Sequence, residues 1–253
     1  MNTFGVTKRR KRLRKRNASC SGKRSNKLRP ITLRKLLELL NKTRYIAAFD
    51  FDGTLTTKDS LWEFLLFTHG WVKTCVGLAL LTPAMMLMVM GVISNHRCKE
   101  IMLSYFFKGM KLSDFQRLGK EFAERGTEIL NPDTCAKLKW HMSEGHEVYV
   151  VSASVYEWVQ PTVATLGVKN VLCTRLAVDA DGRLTGKYDG RNCHGQEKVN
   201  RLLAAEPERD SYYLYAYGDS GGDRQMFEFA DEHEKIMKNE EWRMESCVLP
   251  KKT

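Results

Sequence analysis

The chain predicts an α/β fold: a Rossmann-like parallel sheet with an all-helical segment inserted after its first strand. Three observations carry this expectation. The runs YIAAFDF at 45–51, HEVYVVS at 146–152 and SYYLYAYGD at 211–219 are short, apolar and end in acid or hydroxyl, as buried strands do. From 146 onward, helical patterns alternate with such runs, which implies parallel strands covered by helices on both faces. Between the first two runs the pattern is helical throughout.

The elements follow in order. Leu33, Leu36, Leu37 and Leu40 recur at helical spacing behind Pro30 and Thr32. After the first strand, Ser60 and Glu63 form a capping box that opens a long helix. Pro83, with Thr82 as a cap, divides that helix in two. Further helices are expected over 96–108 and 113–130. Ser154 and Glu157 make a second capping box, opening a helix to about Leu166. A strand is expected over 170–178, turning at Asp181-Gly182 and returning over 183–188. Residues 196–205 and 224–230 read as helices flanking the third run.

Of 253 residues, 43% are hydrophobic and 28% charged, which excludes a mostly disordered or collagen-like chain. The formal net charge of +11 is unevenly placed. Residues 1–44 hold 16 Lys and Arg against the single acid Glu38, so the remaining body is mildly acidic. Residues 1–30 read as a disordered basic arm suited to anionic surfaces, and no specific nucleic-acid partner is expected. None of the seven cysteines stands in a C-x-x-C spacing, which argues against a zinc ribbon or a thioredoxin site. Their odd number and the lack of a secretory pattern fit a cytoplasmic protein. The histidines form no metal-ligand spacing.

Open parallel sheets carry their sites at the carboxyl ends of the strands. Asp50 and Asp52, Ser152, and Asp219 with Asp223 all stand at such ends, and Lys198 opens a helix after His194-Gly195. Carboxylate oxygens of this kind suit Mg²⁺, and a cation with a lysine suits a phosphoryl group. DFDGTLT at 50–56, Ser152, Lys198 in HGQEKVNRL and GDSGGD at 218–223 are, in that order, the four motifs of the haloacid dehalogenase superfamily, which the chain resembles. The helical insertion resembles the subfamily that includes phosphoserine phosphatase. The apolar insertion, Asp59 and CHGQEKV at 193–199 look most like phosphatidylglycerophosphatase C.

The resemblance implies a Mg²⁺-dependent phosphomonoester phosphatase working through an aspartyl-phosphate. Asp50 is then the nucleophile and Asp52 the general acid and base. Asp50, the Asp52 carbonyl and Asp219 hold the metal, with Asp223 supporting metal waters or Lys198. Ser152 and Lys198 bind the phosphate, Thr54 offers its backbone N–H, and Asp59 is a further candidate for substrate contact. The expected organisation is a core of 31–58 and 131–253 and a cap of 59–130.

Residues 74–95 carry no charge and are apolar enough to be a membrane candidate. They cannot cross once, because the motifs on either side of them must meet. A span of 60–81 covers roughly 33 Å and 83–93 only roughly 16 Å, so a hairpin in one leaflet at the cytoplasmic face, or a buried cap core, satisfies the topology. The partner is then a phosphorylated small molecule or a lipid head group at an anionic membrane surface. A lipid phosphate such as phosphatidylglycerophosphate leads. A soluble phosphoserine-type substrate is the alternative, followed by an inactive core with an anion-binding arm.

Overall fold

A computed structural model describes residues 44–237. The basic arm at 1–30 and the leucine-spaced helix at 32–40 lie outside the described residues. Strands β1 (Arg44–Phe49), β2 (Glu147–Val155), β3 (Asn170–Thr174), β6 (Tyr212–Gly218) and β7 (Glu232–Lys235) form one sheet in the order β3-β2-β1-β6-β7. Every pairing is parallel. β1 is central, and Ile46, Ala47, Ala48 and Phe49 are fully buried, as a strand covered on both faces requires. Ala47 and Phe49 join one core with Val148 and Val150. Ile46 and Ala48 join the other with Tyr149, Val151 and Leu214.

Three helices separate β1 from β2: α1 (Ser60–Val89), α2 (Asn95–Phe107) and α3 (Leu112–Gly126). A fourth, α4 (Pro132–Ser143), leads into β2. Helices α5 (Tyr156–Ala164), α6 (Gln196–Ala205) and α7 (Arg224–Phe229) complete the layers. Phe64 of α1 anchors the insertion. Its ring stacks on Trp158 of α5 at 4.6 Å and lies 5.3–5.6 Å from Phe107, Phe115 and Phe122. A two-stranded antiparallel ribbon, β4 (Leu176–Val178) and β5 (Leu184–Tyr188), rests on α2, where the Ser104 hydroxyl donates to the Gly186 carbonyl at 3.1 Å.

Several sequence expectations are corrected. Helix α1 runs through Pro83, and Thr82, expected to cap a second helix, bonds back to the Leu78 carbonyl. The break comes instead at Gly70, whose φ of 70° and ψ of 169° only glycine adopts without strain. The buried Thr74 hydroxyl, beyond the break, donates to the Leu65 carbonyl before it. A proline inside a helix forfeits one bond and kinks it; a reversed φ interrupts the ladder outright. The helix starts one residue early, with Asp59 as N-cap accepting from the Leu61 N–H at 3.0 Å.

The second capping box does not form either. β2 continues to Val155, so Ser154 belongs to the strand. The single strand expected at 170–178 is split at Arg175 between the main sheet and the ribbon. Helix α4 was not anticipated. Its signal is Asn131-Pro132: the Asn131 side chain accepts from the Asp133 N–H at 3.1 Å, and Pro132 needs no donor at the first helical position. The charged edge strand β7 was also missed.

Behind the sheet, two histidines face one another. His141 Nδ1 lies 2.8 Å from His146 Nδ1, and His141 Nε2 lies 2.9 Å from the Tyr217 hydroxyl. One Nδ1 of the pair must donate and the other accept, so the two rings cannot both carry a proton there. Burial, with the neighbouring His146, holds His141 down at about 4. A histidine bound neutral contributes stability above its unfolded pKa of about 6.5, and that stability is lost as pH falls towards 4. We expect the wild-type melting temperature to drop between pH 7 and pH 5, and the drop to be shallower in His141→Gln, measured by thermal denaturation.

Candidate active site

The carboxyl ends of β1, β2 and β6 meet the start of α6 at one edge of the sheet. Asp50 follows β1 directly, and its N–H donates to the Tyr217 carbonyl of β6 at 2.9 Å, which ties the two strand ends together. Lys198 projects from the first turn of α6 and is 2% exposed. Its Nζ lies 2.7 Å from Asp50 Oδ1 and 2.6 Å from Asp223 Oδ1. An ammonium so deeply buried requires such partners. Burial disfavours its charge, but the two carboxylates more than offset this and raise its pKa. Burial likewise pushes the Asp50 carboxyl up to about 7, against the pull of Lys198.

Asp223 is held on every side. Its Oδ2 accepts from the backbone N–H groups of Asp219 and Ser220 at 3.2 and 3.0 Å, and from the Ser220 hydroxyl at 3.0 Å. The local sequence explains how it gets so close. A Cβ on Gly218 would meet Asp223 Cγ at 2.5 Å, so only glycine at 218 lets this carboxylate fold back under the strand end. One carboxylate oxygen from each of Asp50, Asp219 and Asp223 lies within 4.8 Å of the others. Carboxylate oxygens gathered in this way are hard donors of the kind a divalent cation such as Mg²⁺ takes. The side chain of Asp52 is not part of this group.

Asp52 instead sits between the sheet and the helical insertion. Its Oδ1 accepts from the Ser60 N–H at 2.8 Å, and its Oδ2 accepts from the Ser154 hydroxyl. Burial and the neighbouring Asp59 raise its pKa, while the bonds from Ser154 and Ser60 favour the ionised form. Ser152 is buried and accepts from the Ser154 N–H at 3.1 Å. Thr54, in the turn after Asp52, is fully buried, and its hydroxyl oxygen has no partner. Asp59, a candidate for substrate contact, is exposed and caps α1.

Sequence reasoning missed Ser154, Ser60 as a contact of Asp52, and Trp158. The capping signal at Ser154 and Glu157 masked Ser154, which β2 carries past Ser152 instead. Ser60 and Trp158 carried no local signal, because Ser60 meets Asp52, Ser154 and the Trp158 indole only once α1 is packed against α5 and β2.

Residues 47–228 match the family of haloacid dehalogenase-like hydrolases, and the chain belongs to that family. It is 36% identical over 188 residues to Protein CicA of Caulobacter vibrioides, covering 74% of this chain and 83% of that one. It is 27% identical over 197 residues to a histidinol-phosphatase of Neisseria meningitidis, covering 74% and 87%. In fold it is similar to a phosphoserine phosphohydrolase-like protein of Francisella tularensis, with a TM-score of 0.56 and 21% identity over 78% of this chain and 90% of that one.

Removing a partner from a buried ion pair costs about 3–5 kcal/mol. Asp223→Ala should therefore lower the unfolding free energy by about that amount in urea denaturation. An unchanged midpoint would mean that Lys198 finds its counter-charge elsewhere.

Proposed function

We propose that this hydrolase cleaves phosphomonoesters through a phosphoryl group carried on Asp50. The enzyme is a phosphatase of the haloacid dehalogenase-like family. The observation that carries the mechanism is the buried Lys198 bridging Asp50 and Asp223, with Asp219 beside them. Asp50 attacks phosphorus, and the bond to the ester oxygen breaks. Asp52 gives its proton to the departing alkoxide. It then takes a proton from the water that attacks the aspartyl-phosphate, releasing inorganic phosphate and restoring Asp50. Lys198 neutralises charge on the phosphoryl oxygens. Ser152, whose oxygen already accepts from Ser154, keeps its own proton for the phosphate. Thr54 offers a backbone N–H in the same turn.

Asp50, Asp219 and the Asp52 carbonyl would hold Mg²⁺, with Asp223 behind them. When bound, the cation would screen the approach of an anionic phosphate to these carboxylates. On this reading the described residues of the expected core, 44–58 and 131–237, form the catalytic core and 59–130 the cap; the rest of 31–58 and 131–253 lies outside the described residues.

The leading substrate is a lipid-borne phosphate such as phosphatidylglycerophosphate, met at the cytoplasmic face of a membrane. The support is the surface of α1 beyond Gly70. Trp71, Val72, Leu80, Met86, Val89 and Met90 are all more than half exposed. Among the described residues α1 is the one helix long and apolar enough to cross a bilayer. It does not cross once, since α2 runs back from Asn95 to the same body. Residues 64–113 hold Lys73, Arg97, Lys99, Lys108 and Lys111 against the single acid Glu100, a basic collar for anionic head groups. A soluble phosphomonoester is the second reading, favoured by the similarity to a histidinol-phosphatase.

Asp50→Asn should abolish phosphate release while leaving the circular dichroism unchanged. Lys198→Ala should lower kcat roughly 10²–10³-fold, the scale of one lost electrostatic stabiliser. Activity should vanish in excess chelator, return with Mg²⁺, and need more Mg²⁺ in Asp219→Asn. Turnover of wild type in excess chelator would overturn the metal assignment.

The protein should float with anionic vesicles. Replacing Leu80, Leu81, Met85 and Met86 by serine should release it and impair turnover of a lipid phosphate more than of a soluble one. Wild-type protein that ignores anionic vesicles would leave the soluble reading standing.

A further inference from the structure

Four side chains form a buried chain of donors that ends on Asp52. The Trp158 indole Nε1–H donates to Ser60 Oγ at 3.0 Å. Ser60 Oγ donates to Ser154 Oγ at 3.3 Å. Ser154 Oγ donates to Asp52 Oδ2. The direction of the chain is not arbitrary. An indole N–H can only donate, so Ser60 must accept from it and has its own proton left for Ser154. Ser154 then accepts from Ser60 and has its proton left for the carboxylate. Hydroxyl rotors usually turn to suit their surroundings, but these two have one satisfied arrangement. Trp158, Ser60 and Ser154 are at most 4% exposed, so water does not compete for these bonds.

The other oxygen of Asp52 is fixed by the Ser60 backbone N–H at the first turn of α1, at 2.8 Å. One oxygen is thus held from β2 and the other from the inserted helix. We propose that Ser154, aligned by Ser60 and Trp158, is the positioning residue that aims the Asp52 carboxyl at the leaving oxygen of the phosphate ester. This rests on the role given to Asp52 above. With both oxygens anchored, the carboxyl plane is set, and the lone pair left on each oxygen faces a defined direction. Proton transfer needs the donor within hydrogen-bond reach of the ester oxygen, so a carboxyl that rotates loses its advantage. Ser60 supplies both an N–H to Asp52 and a hydroxyl to Ser154, so the placement of the acid depends on α1 being seated against α5.

The leaving group tests this. A p-nitrophenolate departs without a proton, whereas the alkoxide of β-glycerophosphate needs one. The ratio kcat/KM ends at departure of the leaving group and so isolates this step from hydrolysis of the aspartyl-phosphate. Ser154→Ala should lower kcat/KM for β-glycerophosphate by roughly tenfold to a hundredfold, a part of what a general acid contributes. It should lower kcat/KM for p-nitrophenyl phosphate by less than about threefold. Ser154→Thr, which keeps the hydroxyl, should restore most of the loss. Ser60→Ala keeps the backbone bond and cuts the relay one step back; it should show the same selective loss, smaller in size, and carries the test if Ser154→Ala does not fold. Equal losses on both substrates would overturn the relay and leave the phosphatase reading intact. Wild-type protein that releases phosphate neither from these esters nor from phosphatidylglycerophosphate would overturn both.

Discussion

The buried ammonium of Lys198 is the constraint on which the rest of the site depends. With 2% of its surface exposed, it has no access to water and must be paired. Asp50 and Asp223 supply the pairing, and each is fixed by something else. Asp50 is fixed by the bond of its N–H to β6, and Asp223 by two backbone N–H groups and a hydroxyl. Strand β1, strand β6 and helix α6 thereby converge on one charge. A third carboxylate, Asp219, lies in the same cluster, and carboxylate oxygens gathered in this way are the donors a divalent cation takes.

Asp52 has a different environment, although it lies two residues from Asp50. Alternation alone would put both carboxylates on one side of an extended chain. The turn at Phe51–Leu55 instead sends the Asp52 side chain towards Ser60 and Ser154. Two carboxylates with separate partners can hold separate protonation states, as the proposed roles of nucleophile and acid require. The separation is a product of packing, since Ser60 comes from the inserted helix and Ser154 from β2.

The helical insertion has two contrasting halves joined at Gly70. Before the break, Leu61, Phe64 and Leu65 are buried against the core. Beyond it, the chain is equally apolar yet largely uncovered, and Trp71 and Val72 are each 72% exposed. The reversal at Gly70 separates the two halves, and of the second half Leu78 and Leu81 pack against the core.

The sequence alone determined the alternating strands, the helical insertion and the acids, hydroxyl and lysine at the strand ends. Each rests on local chemistry: a charge-free run ending in Asp50 can only be a covered strand with its acid at the rim. It also determined that 74–95 could not be a simple crossing, because Asp50 and Lys198 had to meet. Tertiary structure decided where the long helix bends, since Pro83 and Gly70 are both plausible breaks and only the seating of Phe64 among four rings and the Thr74 bond to Leu65 select Gly70. It decided that Ser154 continues a strand and bonds Asp52 instead of capping a helix, because pairing of β2 with β3 outlasts the local capping signal. The Trp158–Ser60–Ser154 chain is tertiary in full: its bonds join residues far apart in sequence, and no local pattern encodes a contact that exists only once α1, α5 and β2 are packed.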